Sequence, residues 1–161
     1  MINLAQPSLT TTVFDPFCGS GVVLQESLLR HLSAWGSDNS ENEIQASKQN
    51  IEWLINKYNL AASHHLFLAD ATKLTQSPDT HYCIVSEGYL GEMLSTAPSS
   101  TQIASLEQEL ARLYLQFLTA ITHLQNLPQS VVITLPCWQT KDSLIMLKIV
   151  DQIINLGYTV K

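Results

Sequence analysis

Lysine and arginine are scarce in this chain: eight together against fourteen Asp and Glu, for a formal charge of −6. Nucleic-acid affinity comes mostly from neutralising phosphates, so a domain without a basic stripe leaves most of any such grip to something outside it. Cysteine is equally sparse. Cys18, Cys83 and Cys137 are odd in number, far apart and without CxxC spacing, which argues against a disulfide framework and a zinc site and fits a reducing cytoplasm. No apolar run approaches the ~20 residues of a bilayer span. Residues 1–9 have no basic flank and are too short and mixed for a signal peptide. The expectation is a cytoplasmic protein with no membrane partner.

What is present is a core-forming pattern. Apolar residues make up 45% of the chain and charged ones 14%, the balance of a globular domain. Its 161 residues suit one domain, the usual size being ~100–200 residues. Strands are expected at 10–14, 34–37, 65–69, 82–85 and 130–135, with another beginning at 158–161. Helical spacing falls at 21–33, from an Asn39 or Ser40 cap to Tyr58, and at 142–155. The clearest helix carries Ile103, Leu106, Leu110, Leu113, Tyr114 and Phe117 and continues to Leu124, a stripe that reads as core. Residues 95–102 are turn-rich and read as a mobile connection. Strands alternating with helices of this length predict βαβ units in a doubly wound, mostly parallel sheet flanked by helices. The chain opens almost directly into a strand and stops as another begins. It therefore reads as one domain over residues 1–161, cut from a longer protein and lacking the last strand of its sheet.

The run Val13-Phe14-Asp15-Pro16-Phe17-Cys18-Gly19-Ser20-Gly21 passes from a strand through a glycine turn into a helix. Such a turn presents backbone N–H groups at the helix N-terminus, and Gly19 and Gly21 let a ligand approach closely. Asp15, Asp38 and Asp70 each end a predicted strand, and in doubly wound sheets ligands sit at the strands' carboxyl ends. Asp38 follows Gly21 by 17 residues, near the ~20-residue offset of a carboxylate that binds ribose hydroxyls. One such Asp would only cap a turn; three behind a glycine loop point to a ribose-containing ligand. A dinucleotide site would need a third glycine where Leu24 stands, and no Gly-Lys-Ser/Thr follows to make a P-loop. S-adenosylmethionine has no pyrophosphate and suits the loop better.

The segment Asp15-Pro16-Phe17-Cys18-Gly19-Ser20-Gly21 resembles the first motif of Rossmann-fold RNA methyltransferases, particularly the THUMP-associated tRNA guanosine-N2 methyltransferases. The likeness runs from Met1 to about Tyr158. It implies a class I, Rossmann-like methyltransferase fold with S-adenosylmethionine as cofactor. By position, Asp15, Gly19 and Gly21 would face the methionine part, Asp38 the ribose and Asp70 the adenine amino group. Asn39 departs from the apolar residue that often packs on adenine there. Family members usually carry an RNA-binding THUMP domain ahead of the catalytic one, which implies that tRNA is held through a flanking domain.

In that family the fourth strand ends in Asn/Asp-Pro-Pro-Tyr/Phe, whose polar side chain and proline carbonyl accept from the target amine while the ring stacks on the base. Here the run is Ser86-Glu87-Gly88-Tyr89. Tyr89 keeps a stacking ring, and Ser86 keeps an acceptor oxygen on a shorter side chain. Both prolines are gone, and with them a rigid backbone. Glu87 either takes a proton from an exocyclic amine or is a solvated Glu beside a glycine turn. The resemblance thus implies methyl transfer to an exocyclic guanosine amine in tRNA, with Ser86, Glu87 and Tyr89 as catalytic residues. The alternatives are a catalytically altered cofactor-binding scaffold, or a methyltransferase acting on DNA, a protein or a small molecule. His64-His65 lacks a metal-ligand partner at useful spacing, so no metal is expected. Cys18 reads as a small loop filler, and Trp138 as either a base-stacking platform or plain packing.

Overall fold

Thr12–Asp15 (β1) is buried along its whole length, as a central strand covered on both faces must be. The computed structural model describes residues 1–61, 63–79, 81–91, 98–140 and 143–161. In it β1 pairs in parallel with Ser33–Asp38 (β2) on one side and Tyr82–Ser86 (β4) on the other. His64–Leu68 (β3) lies beyond β2 and Val131–Ile133 (β5) beyond β4. The order is β3-β2-β1-β4-β5 with every pairing parallel. Strand order reverses between β1 and β4, and the carboxyl ends there open the crevice that such sheets use for ligands.

The strand alternation sorts side chains into two cores. Val13, Cys83 and Val85 point to one face and pack with Ile2, Val23 and Leu32. Phe14, Tyr82 and Ile84 point to the other, where they meet Tyr114, Phe117 and Ile121. Val22–Leu29 (α2) and Glu41–Tyr58 (α3) join through Leu24, Leu28, Ile51 and Leu54 around Ala34 of β2. Ser100–Thr122 (α4) carries the predicted apolar stripe and covers the opposite face. A short helix, Ile2–Ala5 (α1), was not legible in the sequence; it buries Ile2 against Val13 and Val85.

Several boundaries differ from the sequence-based expectation. The helix expected over 21–33 ends at Leu29, because His31 takes a left-handed φ of 61° and turns the chain into β2. Of the expected mobile connection at 95–102, residues 95–97 lie outside the described residues. Ser99 is already ordered as the N-cap of α4: its hydroxyl accepts from the Gln102 amide while the Gln102 side chain accepts from the Ser99 amide. The strand expected at 130–135 shortens to Val131–Ile133.

The helix expected over 142–155 is largely overturned. Cys137–Gln139 (β6) and Leu144–Met146 (β7) form an antiparallel hairpin, and only Val150–Asn155 (α5) is helical. Thr140 and Ser143 close its turn through two backbone-to-hydroxyl and backbone-to-backbone bonds of 3.0 and 2.8 Å. Leu144 and Met146 are exposed while Leu147 and Ile149 are buried, and Trp138 opposite Ile145 anchors the pair in the main core. Nor is 158–161 a strand. Tyr158 donates its hydroxyl to the Leu118 carbonyl at 2.9 Å and lies against α4. Among the described residues no helix is long and apolar enough to cross a membrane.

Candidate functional site

β1 ends on Asp15, which is 2% exposed and lies beneath the glycine loop. Its Oδ1 accepts from the Phe17 amide at 3.0 Å, and the Ser86 hydroxyl at the end of β4 bonds to the same carboxyl. Burial pushes the Asp15 pKa up to about 7; the bonds from Ser86 and Phe17 oppose the rise, and the nearby Asp38 and Glu87 carboxylates add to it. Gly21, with φ of 86°, caps α2 in a left-handed conformation, and a methyl group there would collide with the Ser47 hydroxyl of α3. At Gly21, therefore, the turn is wedged against α3 with no room for a larger residue. Cys18 is buried in the loop, and burial pushes its thiol up to about 12, so it stays neutral and fills space as expected.

A cavity of about 700 Å³ opens over the carboxyl ends of the strands. Gly19, Asp38 and Asp70 line it together, so the structure assembles three of the predicted cofactor contacts in one space. Asp38 Oδ2 accepts from the Gly19 amide at 3.0 Å and Oδ1 from the Ser40 amide at 2.9 Å. Each oxygen keeps a second lone pair, the acceptor geometry a vicinal diol requires. Asp70 caps a single 3₁₀ turn, Ala71–Lys73, and accepts from the Thr72 hydroxyl at 2.7 Å and the Thr72 amide at 2.9 Å. Those bonds, with Lys73 at 3.4 Å, hold its carboxyl below the usual range.

The far wall was missed by sequence reasoning. Glu109, Arg112, Leu113 and Gln116 of α4 line the cavity. Their only signal was a polar set at spacings of three and four beside the apolar stripe, which reads locally as a solvated face. The lining is acidic, with Asp38, Glu43, Asp70 and Glu109 against Arg112.

The run Ser86-Glu87-Gly88-Tyr89 at the end of β4 is held by side-chain hydroxyls. Ser86 is fully buried; its oxygen accepts from the Gly88 amide at 3.0 Å while it also bonds to Asp15. Gly88 takes a φ of 68°, and the Tyr114 side chain occupies the space a methyl group would need. Tyr114 in turn donates to the Tyr89 carbonyl at 3.1 Å and the Thr134 carbonyl at 3.2 Å. The two exposed members of the run separate. Tyr89 lines the cavity over the strand ends, while Glu87 lines a second cleft on the α1–α2 side. Trp138 is buried in the core and provides packing, not a stacking platform. His64 and His65 are exposed on the edge strand β3, with the His65 ring 4.5 Å from that of Trp35.

No protein-family profile matches the sequence, and no curated protein matches it. Solved structures do resemble it. TrmN from Thermus thermophilus superposes with a TM-score of 0.55 at 22% identity, over 76% of this chain and 32% of TrmN. A TehB-like SAM-dependent methyltransferase from Corynebacterium glutamicum superposes with a TM-score of 0.55 at 13% identity, over 97% of this chain and 67% of that one. The chain spans about a third of the length of TrmN. Five parallel strands in this order, flanked by helices, together with the superposition on these structures, make the fold Rossmann-like, as in the methyltransferases.

Proposed function

We propose that the chain is the S-adenosylmethionine-dependent methyltransferase domain of an enzyme that modifies an exocyclic guanosine amine in tRNA. The observation that carries the reading is the acidic cavity at the strand-order reversal, with the glycine loop at one wall and Asp38 and Asp70 at another. S-adenosylmethionine carries a sulfonium and an ammonium against one carboxylate, so its net positive charge suits a lining of four acids and one arginine. The open lone pairs of Asp38 suit the ribose hydroxyls, and the Asp70 carboxylate, which lines the same cavity, suits the adenine amino group. Room is available at the loop: the nearest atom to a methyl group built on Gly19 is Glu43 Oε2, 3.9 Å away. The donor set fits the cofactor.

When bound, the cofactor supplies a methyl group activated by its sulfonium. The chain supplies position. Asp15, Ser86 and Gly88 form a buried relay of hydrogen bonds that ties the glycine loop to the end of β4. Two segments that must stay in register are thereby fixed to each other, and such alignment is worth many-fold in rate. We assign to Glu87, exposed beside that relay and lining the second cleft, the role of taking the proton released from an amine. The −6 charge supports a flanking domain as the source of RNA affinity.

The test is transfer of labelled methyl from S-adenosylmethionine to tRNA by the full-length protein. Label in guanosine N2, reduced at least tenfold by Glu87→Gln, is the expected result. Label only in DNA, protein or a small molecule would reassign the substrate. Cofactor binding without transfer to any acceptor would favour the scaffold alternative.

A further inference from the structure

The glycine loop gives the large cavity space but few donors. Of the loop residues that line it, Pro16 has no N–H, the Phe17 amide is taken by Asp15 and the Gly19 amide by Asp38, each at 3.0 Å. Asp15 itself is buried beneath the loop and is not among the lining residues. The first turn of α2 carries the unpaired N–H groups of a helix start, but its Val22 and Val23 line the second cleft instead. An anion in the large cavity has to find its partner on another wall.

That wall is α4. Among the described residues Arg112 is the one cation that lines the cavity, and the other charged lining residues are all carboxylates. Arg112 is exposed, and among the described residues no carboxylate pairs with it. Lys73 is engaged by Asp70 at 3.4 Å and does not line the space. Glu109 lines the cavity from three residues before Arg112 and is likewise exposed and without a cation among the described residues. Residues three apart on a helix are neighbours, with ~5–6 Å between their Cβ atoms. The Phe17 ring packs against Tyr114 and Phe117 with centroids 6.4 and 5.0 Å apart, so the start of the loop meets this same stretch of α4. A carboxylate and a guanidinium side by side, neither one paired, match a zwitterion that carries both of its charges on one carbon.

We infer that Arg112 and Glu109 hold the amino-acid end of S-adenosylmethionine, with the Arg112 guanidinium on its carboxylate and the Glu109 carboxylate on its ammonium. The inference deepens the methyltransferase reading and rests on it. A guanidinium fork donates two parallel bonds to a carboxylate, which fixes orientation as well as charge. Without Arg112 the carboxylate of the cofactor would meet like charges on the walls and no counter-charge, an arrangement that is strongly unfavourable. The glycine loop supplies clearance, Asp38 takes the ribose, and α4 reads the amino-acid end.

Calorimetric titration with S-adenosylmethionine and with its decarboxylated form, which keeps the sulfonium, the amine and the nucleoside, tests the assignment without requiring turnover. Wild type should bind the intact cofactor about tenfold or more tighter than the decarboxylated one, the worth of a charge-assisted pair. Arg112→Gln should weaken the intact cofactor by that factor and leave the decarboxylated one within about twofold, so that the preference disappears. Arg112→Lys should restore part of it, as a point charge without the fork. Glu109→Gln should weaken both ligands alike, because both keep the amine. Both side chains are exposed, so folding does not depend on them. Equal loss of the two ligands in Arg112→Gln, or no loss of either, would overturn the role of Arg112 and leave the cofactor cavity standing. Failure of the folded wild type to bind either ligand would instead overturn the methyltransferase reading, and this inference with it.

Discussion

Gly88→Ala should lower methyl transfer about a hundredfold or more while weakening cofactor affinity far less. The left-handed φ of 68° at Gly88 disfavours any side chain, at a cost of roughly 1–2 kcal/mol. The added methyl group would also meet the Tyr114 hydroxyl, which is itself fixed by donation to the Tyr89 and Thr134 carbonyls. Since Tyr114 is fully buried, the side chain cannot swing away. The loop must move instead, and with it Ser86, Glu87 and Tyr89. A displacement of about 1 Å in a reacting group costs on the order of a hundredfold in rate. Tyr114→Phe removes the hydroxyl and so relieves part of the collision. The double variant should therefore be less impaired than the product of the two single effects. Steady-state kinetics on the four proteins, with cofactor titrations alongside, measure the coupling. Independent, multiplicative losses would show that Tyr114 does not hold this loop.

Stability should fall as pH rises from about 4 to about 7, and Asp15→Asn should flatten that decline. Burial raises the Asp15 pKa to about 7 in the folded chain, from 3.8 for an exposed Asp. In that window the folded chain holds a proton that the unfolded chain has released. Its contribution is complete below the unfolded pKa and is lost as pH passes through the folded one. The full swing is roughly 4 kcal/mol. Asparagine keeps an acceptor for the Phe17 amide and never ionises, so the variant should be the more stable protein at pH 8. Asp70 acts in the opposite sense, because its carboxyl is held low and its contribution fades only in acid. Comparing denaturant midpoints of wild type and variant at pH 5 and pH 8 isolates Asp15 from it. Parallel pH profiles for the two proteins would contradict the buried, proton-holding role.

The central strands were legible because their physics is local. β1 and β4 are buried on both faces, so they appear as short unbroken apolar runs that end on Asp15 and Ser86. Asp38 and Asp70 were legible for a related reason: polar residues at or just past the carboxyl ends of strands fall at the same end of a parallel sheet. The hairpin of β6 and β7 was not. The stretch 144–149 is apolar at nearly every position and satisfies helical spacing as well as strand alternation; the choice is made by Trp138 opposite Ile145. Nor could sequence show that Glu109, Arg112 and Gln116 face a cavity, because a helix's polar side looks the same over bulk water. The link between Gly88 and Tyr114 leaves no local trace at all. Each residue is ordinary where it stands, and only the packing of α4 over the end of β4 makes them dependent on each other.

Calorimetric titration of the protein with S-adenosylmethionine tests the cofactor assignment most directly. The expected result is one site per chain that weakens with added salt, as a cation in an acidic cavity must. Asp38→Ala should weaken it tenfold to a hundredfold, on the order of one or two lost bonds to a charged acceptor. Absence of binding to the folded wild-type protein, or binding indifferent to Asp38, would contradict the assignment of this cavity to the methyl donor.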